Sequence, residues 1–383
     1  MNPITRRDAL SGVAASLLIV KPETAFGSQA NSAVSFGIIG TGGRGRYVGK
    51  IFTDDPRARL AAICDIRPER IDLAKTEIPA ADKVPVHKDL KELLARTDID
   101  AVLIATPVFL HPEHFEAAAN AKKHIYCEKP AGAEVAGVKR LIRAAERADK
   151  SKVIQFGFQQ RFSPEYLTAE KLLRGGDVGE LTLMISYWVY GNSAYDRPDI
   201  PVPTGLLDKI KSWGRWKDTS GDFIVEQDCH GLDVLNWFAQ AHPLKAIGEG
   251  GKWKPKKDPL ENSDHACIIY TYPGRLKGWM LGSQLPPRPY WDVKEQFFGT
   301  KGMLETERQY YKHMDAASGK WKEVHSKREI TIDAVEHFLA CILEKKPFSM
   351  AMDAANSTLT SILGVMAVDM RREVTWDEMM KSA

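Results

Sequence analysis

Three groups of residues have the types and spacings from which chemistry is built. The first is Gly40-Thr41-Gly42-Gly43-Arg44-Gly45, which breaks the β-prone apolar run Val34–Ile39 and opens a helix-compatible segment. The first glycine permits a tight turn, the second lets the backbone approach a pyrophosphate, and the third allows close helix–strand packing. Amides at the new helix N-terminus then meet the pyrophosphate with the favourable end of the helix dipole. A second apolar run, Leu60–Cys64, ends in Asp65, about 20 residues beyond Gly45 as a dinucleotide site requires. A carboxylate there takes both ribose hydroxyls of NAD and repels a 2′-phosphate. NAD is therefore the expected cofactor, and Arg67 and Arg70 leave NADP as the lesser alternative.

The second group is Glu128-Lys129-Pro130, which follows the apolar run His124–Cys127. That places a lysine at the carboxyl edge of a parallel sheet, where open α/β folds bind ligands. Burial beside a positive nicotinamide is expected to lower its pKa into a useful acid–base range. The third group surrounds His230, with Glu226 at i−4 and Asp233 at i+3. Helical spacing predicts one face carrying two carboxylates and an imidazole, where an acid fixes the tautomer of the base. Such a set also suits zinc, but the electron carrier implied by the glycines removes the need for a metal, and none is expected.

Positioning these groups requires a particular framework. From Val34 to about Lys150, strand and helix alternate, with further strands at Ala101–Ala105, His124–Cys127 and Val153–Gly157. Alternation of this kind builds a parallel sheet covered on both faces, an α/β Rossmann domain. Strand-like runs then follow one another at Leu181–Tyr190, Ala266–Tyr272, Lys277–Gly282 and Val293–Phe298, which predicts an α+β domain with a largely antiparallel open sheet. Helical periodicity returns at Asp333–Glu344 and Asp353–Arg371. The expected division is 31–155 for the dinucleotide domain and 156–335 for a substrate and oligomerisation domain. Helices in 336–383 are expected to pack back towards the first domain.

The chain has 383 residues, more than one usual core, and a formal net charge of +3. So small a charge, without basic runs interleaved with aromatics, gives no footprint for nucleic acid. The five cysteines lack metal-ligand spacing and read as buried thiols. Residues 1–30 differ in kind: Arg6-Arg7 precede a moderately apolar run and then small residues, the layout of a twin-arginine export signal. The expectation is a periplasmic protein, free of the membrane once the signal is removed.

These residues together carry a family resemblance. The chain resembles the Gfo/Idh/MocA oxidoreductases, the group of glucose–fructose oxidoreductase and inositol dehydrogenase, in an exported branch. The likeness rests on Gly40–Gly45, Ala105-Thr106-Pro107 with His111, Glu128-Lys129-Pro130, and the carboxylate–histidine helix ending in Asp233. It implies that Thr106, His111, Glu128 and Lys129 lie on the cofactor, and that Lys129 and His230 face the substrate hydroxyl. The residue four before the histidine is usually aspartate in that family; here it is the longer Glu226. Trp188, Tyr190, Tyr195, Trp213 and Trp216 offer flat rings for the apolar faces of a sugar. Gln160, Arg161 and Asp228 offer polar contacts.

The reading is an NAD-dependent oxidoreductase acting on a secondary hydroxyl of a sugar, glycoside or cyclitol. Its cofactor is expected to be bound tightly and recycled, and its second-domain sheet to form a homo-oligomer. The alternative is a glycoside-cleaving enzyme that oxidises its substrate transiently, eliminates the substituent and reduces the ketone again.

Overall fold

The computed structural model describes residues 33–254 and 256–383, so the expected signal at 1–30 lies outside the described residues. A seven-stranded, wholly parallel sheet runs in the order Val86–His87, Ala58–Cys64, Val34–Ile39, Ala101–Ile104, His124–Cys127, Val153–Phe156, Phe348–Ser349. Its central strands are buried along their whole length, which is why they read as unbroken apolar runs rather than alternating ones. Strand order reverses at Val34–Ile39, which pairs with Ala58–Cys64 on one side and Ala101–Ile104 on the other. A crevice opens at such a switch point beyond the carboxyl ends of the strands. Gly40, Asp65 and Thr106 stand at or next to those three ends.

A nine-stranded sheet follows, in the order Lys320–His325, Tyr310–Asp315, Gly302–Glu307, Trp291–Gly299, Leu181–Tyr190, Lys277–Ser283, His265–Thr271, Lys245–Gly251, Val374–Thr375. Only Leu181–Tyr190 with Lys277–Ser283 is a parallel pair. The inner face is covered by the helices Cys229–Ala239 and Ala351–Met370, whose side chains share a core with Tyr270, Met280 and Phe297. Strands in this sheet alternate buried and exposed residues, as one covered face demands. The uncovered face carries Ile247, Ile269, Trp279 and Leu281, each between 41 and 48% exposed. Cys267 is exposed there too, contrary to its reading as a buried thiol.

The end of the chain ties the two sheets together. Helix Ile330–Leu343 lies on the first sheet, where Phe338 meets Phe52 and Tyr126 edge-on at 5.9 and 5.6 Å. Helix Ala351–Met370 begins in the first core at Ala351 and Ala354 and enters the second at Leu359 and Leu363. No helix among the described residues is long and apolar enough to cross a membrane. Phe338→Ala should lower stability by about 3–5 kcal/mol, the usual cost of emptying a buried aromatic site. Chemical denaturation of the purified protein measures this, and a loss under about 1 kcal/mol would deny the helix its place in the first core.

Candidate active site

The glycine turn has the geometry its composition calls for. Gly40 holds φ at +91°, and a Cβ on Gly45 would collide with the Gly40 carbonyl oxygen. Gly42 and Gly43 have open space where a Cβ would stand, and no side chain caps the helix that starts at Gly43. Its first-turn amides are therefore free for an anion. Asp65 accepts from the Thr41 amide at 2.8 Å, the Thr41 hydroxyl at 3.1 Å and the Arg67 amide at 2.9 Å. Its carboxylate thus braces the turn as well as lining the cleft.

That cleft has a volume of 710 Å³ and runs from Asp65 and Arg70 past Gly40–Arg44 and Thr106 to Lys129 and Glu226. A volume of this order suits a cofactor. Arg44 Nε lies 2.9 Å from Glu128 Oε1, an ion pair in the wall of the cleft. Open glycines and free helix amides fit a dinucleotide. His111 lines the cleft, its Nδ1 2.7 Å from the Pro130 carbonyl oxygen and its Nε2 2.8 Å from that of Thr106. Burial lowers its pKa, and the one N–H of the neutral ring donates to one of the two. The ring stands between two loops of the site. Thr106 turns its hydroxyl to His114 Nδ1 at 3.1 Å, and burial pushes His114 down to about 4.

At the inner end of the cleft, Lys129 Nζ donates to the Glu226 carbonyl and sits 3.2 Å from Glu226 Oε1. Burial works against the charge on Lys129, yet Glu226 and its neighbours outweigh it and the pKa is raised. The expected lowering does not hold for the chain by itself. Glu226 belongs to a π-helical turn, Ile224–Asp228, ahead of the α-helix Cys229–Ala239. The extra residue in that turn breaks the i−4 relation and sends Glu226 to Lys129 instead of His230. Asp233 is likewise diverted: Arg161 grips it with two bonds of 2.8 and 2.9 Å, and Ser357 adds a third at 2.7 Å.

The imidazole of His230 is therefore oriented by neither carboxylate. Its Nδ1 lies 3.1 Å from the Gln160 amide oxygen, which only accepts, so Nδ1 carries the proton and Nε2 is a free base. Trp188 stacks on the ring at 5.4 Å and 8°, and Phe158 meets it edge-on at 5.9 Å. Burial, with the charges of Lys129, Arg308 and Arg44 added, holds His230 well below the ordinary imidazole value.

The remaining predicted residues divide sharply. Tyr190 stands two residues beyond Trp188 on the same sheet face, its hydroxyl 2.9 Å from Asn192 Nδ2, which donates to it. Trp213 lines the cleft. Trp216 does not: it is 2% exposed, with its indole N–H donating to Ser212 Oγ at 3.1 Å. Arg161 is spent on Asp233 and, at 3.4 Å, on Asp353, so it fixes helices and has no free donor fork for a sugar. Asp228 is wholly buried against Gly282 and Phe223, away from the cleft, and desolvation drives its pKa well up. Sequence reasoning missed Arg308, whose guanidinium lies 5.8 Å from the Trp188 ring centre. It also missed Glu295, buried beside Tyr166 and Thr306 and pushed up to about 7 by desolvation. Both come from strands and turns whose local pattern is ordinary, and only strand pairing brings them near His230.

A pH dependence follows. The unfolded chain titrates His230 at the ordinary 6.5, whereas the folded chain refuses the proton until lower pH. Its contribution to stability is therefore complete above 6.5 and is lost as pH falls below it. The acid limb of kcat/KM should lie below 6.5, with the rate flat as pH falls through that value. Gln160→Leu, which releases the ring to either tautomer, should cut kcat roughly tenfold in a folded protein. A limb centred above 6.5, or an unchanged kcat in Gln160→Leu, would contradict this account of the base.

Comparison with known proteins agrees with the geometry. Residues 34–157 match the model of an oxidoreductase family with an NAD-binding Rossmann fold, and residues 166–305 match the GFO/IDH/MocA C-terminal domain. Inositol 2-dehydrogenase of Rhizobium meliloti is 28% identical over 290 residues, 75% of this chain and 79% of that protein. The 2,7-anhydro-N-acetylneuraminate hydratase of Mediterraneibacter gnavus is 27% identical over 236 residues, covering 62% of this chain and 57% of its own. Among solved structures, levoglucosan dehydrogenase in complex with NADH and levoglucosan shares the fold. Its TM-score is 0.76 at 20% identity, over 90% of this chain and 99% of that one. With both matched regions in the expected order and together spanning more than half of the chain, this protein belongs to the Gfo/Idh/MocA family of NAD-binding oxidoreductases.

Proposed function

We propose that this chain oxidises or reduces a secondary hydroxyl of a sugar, glycoside or cyclitol with NAD that stays bound between turnovers. The observation that carries the reading is Lys129, held by Glu226 at the inner end of the cleft that the glycine turn lines, with the Gln160-oriented His230 close enough for the Lys129 charge to lower its pKa. NAD, when bound, supplies the hydride acceptor. His230 Nε2 takes the hydroxyl proton as the C–H bond breaks, and returns it in the reverse direction. The Lys129 ammonium stabilises negative charge on the same oxygen, and Glu226 keeps that ammonium protonated and aimed. Tyr190, partly exposed on the same strand, presents its ring to the substrate, while Trp188 is buried against His230 and backs the imidazole.

An exported protein meets no replenished NAD pool, so a dehydrogenase that released NADH would stop after one turnover. Twin-arginine export carries folded proteins, which lets the cofactor be loaded beforehand. Asp65 favours NAD over NADP. Similarity to a protein named as a hydratase, a reaction without net oxidation, supports a second reading. In that reading one substrate is oxidised, altered by elimination and reduced again on the same cofactor. Product analysis separates the two: a stable ketone or lactone for the first, an altered substrate without redox change for the second.

Mature protein should keep NAD through gel filtration, and Lys129→Ala and His230→Ala should each lower turnover by about 10²-fold or more with the fold intact. Near-normal turnover in either variant removes that residue from the chemistry. The uncovered sheet face is proposed to pair with a second copy, since Ile247, Ile269 and Trp279 form one continuous apolar row across three strands. Trp279→Asp should then shift the sedimentation coefficient from oligomer to monomer. A wild-type chain that sediments as a monomer would contradict the interface.

A further inference from the structure

The long connection between strand Leu181–Tyr190 and the His230 helix contains a short helix, Leu206–Ser212, in which no residue is buried. Seven residues do not hold a helix in water without tertiary support. Here the support is one-sided. Lys209 pairs with Asp218 at 2.7 Å, the Thr219 hydroxyl donates to the Trp213 carbonyl at 2.7 Å, and buried Trp216 donates to Ser212. These ties hold the middle and the carboxyl end of the segment. Its amino end, with Leu206 60% exposed, is held by none of them.

The apolar side of this helix has a definite direction. Leu206, Ile210 and Trp213, at i, i+4 and i+7, all line the dinucleotide cleft, and Lys211 lines it as well. They share that cleft with Asp65, Ile66, Arg67, Arg70 and Lys88, the residues around the end where the adenosine ribose meets Asp65. Among the described residues, Lys211, Arg70 and Lys88 enter no ion pair. Three cations and an apolar stripe thus surround a space continuous with the pyrophosphate turn, which is the chemistry of an adenine nucleotide.

We propose that Leu206–Trp213 is a clasp that closes over the adenosine half of bound NAD and sets its release rate. The clasp rests on the reading of the cleft as an NAD site and supplies a physical basis for retention. Contacts made only after the dinucleotide is seated act mainly on dissociation, not on capture. The segment comes from the second domain, so part of the adenosine wall is supplied by residues that the glycine fingerprint does not announce.

The test uses the full mature chain loaded with NAD. Release is followed by chase with excess labelled NAD, and hydrogen exchange is read over residues 205–213 with and without cofactor. Leu206→Ser/Ile210→Ser and, separately, Trp213→Ala should release NAD at least about tenfold faster. In wild type, NAD should slow exchange in the segment. Because no side chain of the helix is buried, both variants should keep the wild-type circular dichroism and melting temperature. Folded variants that release NAD at the wild-type rate, or exchange in 205–213 that ignores NAD, would overturn the clasp alone. A wild-type chain that takes up no dinucleotide would overturn both the clasp and the proposed function.

Discussion

Lysine 129 and Glu226 are 97 positions apart, and the contact between them joins the two halves of the site. One stands at the carboxyl edge of the parallel sheet, the other in the turn that leads into the second domain's central helix. A lysine this enclosed would shed its proton without an anion beside it. Glu226 supplies both a carboxylate and a carbonyl, and the net effect is a raised pKa. The cleft for the cofactor and the wall for the substrate are therefore registered by one charged contact.

The rest of the helix that follows is fixed by polar contacts at successive turns. His230 meets Gln160, Asp233 meets Arg161 and Ser357, and Asn236 meets Tyr272 and Thr360. Each buried polar group finds a partner on a different element, which allows only one rotation and one depth for the helix. Breaking Asp233 from Arg161 would strand a buried charge, a change that typically costs about 3–5 kcal/mol. Asp228 is the exception on this segment, with both oxygens unpartnered. Desolvation raises its pKa well above the ordinary carboxylate value, which favours the neutral form and lessens the cost of its burial.

What the sequence made legible depended on how local the cause was. The glycine turn, Asp65 and the strand ends are set by contacts within a single βαβ unit, and their spacing was sufficient. The parallel sheet and the antiparallel one were legible from alternation. The partners of His230 were not, because a π-turn costs the helix its regular spacing and nothing in Ile224–Asp228 announces one. Arg161 and Gln160 are neighbours in sequence, and which of them faces the histidine is decided by the short 3₁₀ turn Gln159–Phe162. Trp213 and Trp216 fall on opposite sides of a turn, one at the cleft and one in the core, a distinction no composition rule makes.

The central claim is that His230 and Lys129 move a proton while the carbon bearing the hydroxyl gives up hydride within this cleft. Label transfer tests it most directly. NAD-loaded protein is mixed with sugars and cyclitols deuterated at the carbinol carbons, and the retained dinucleotide is weighed by mass spectrometry. The account predicts that one substrate of this class transfers deuterium to the cofactor in wild type, and that His230→Ala leaves the cofactor unlabelled. No label from any of them, or equal labelling in His230→Ala, would contradict it.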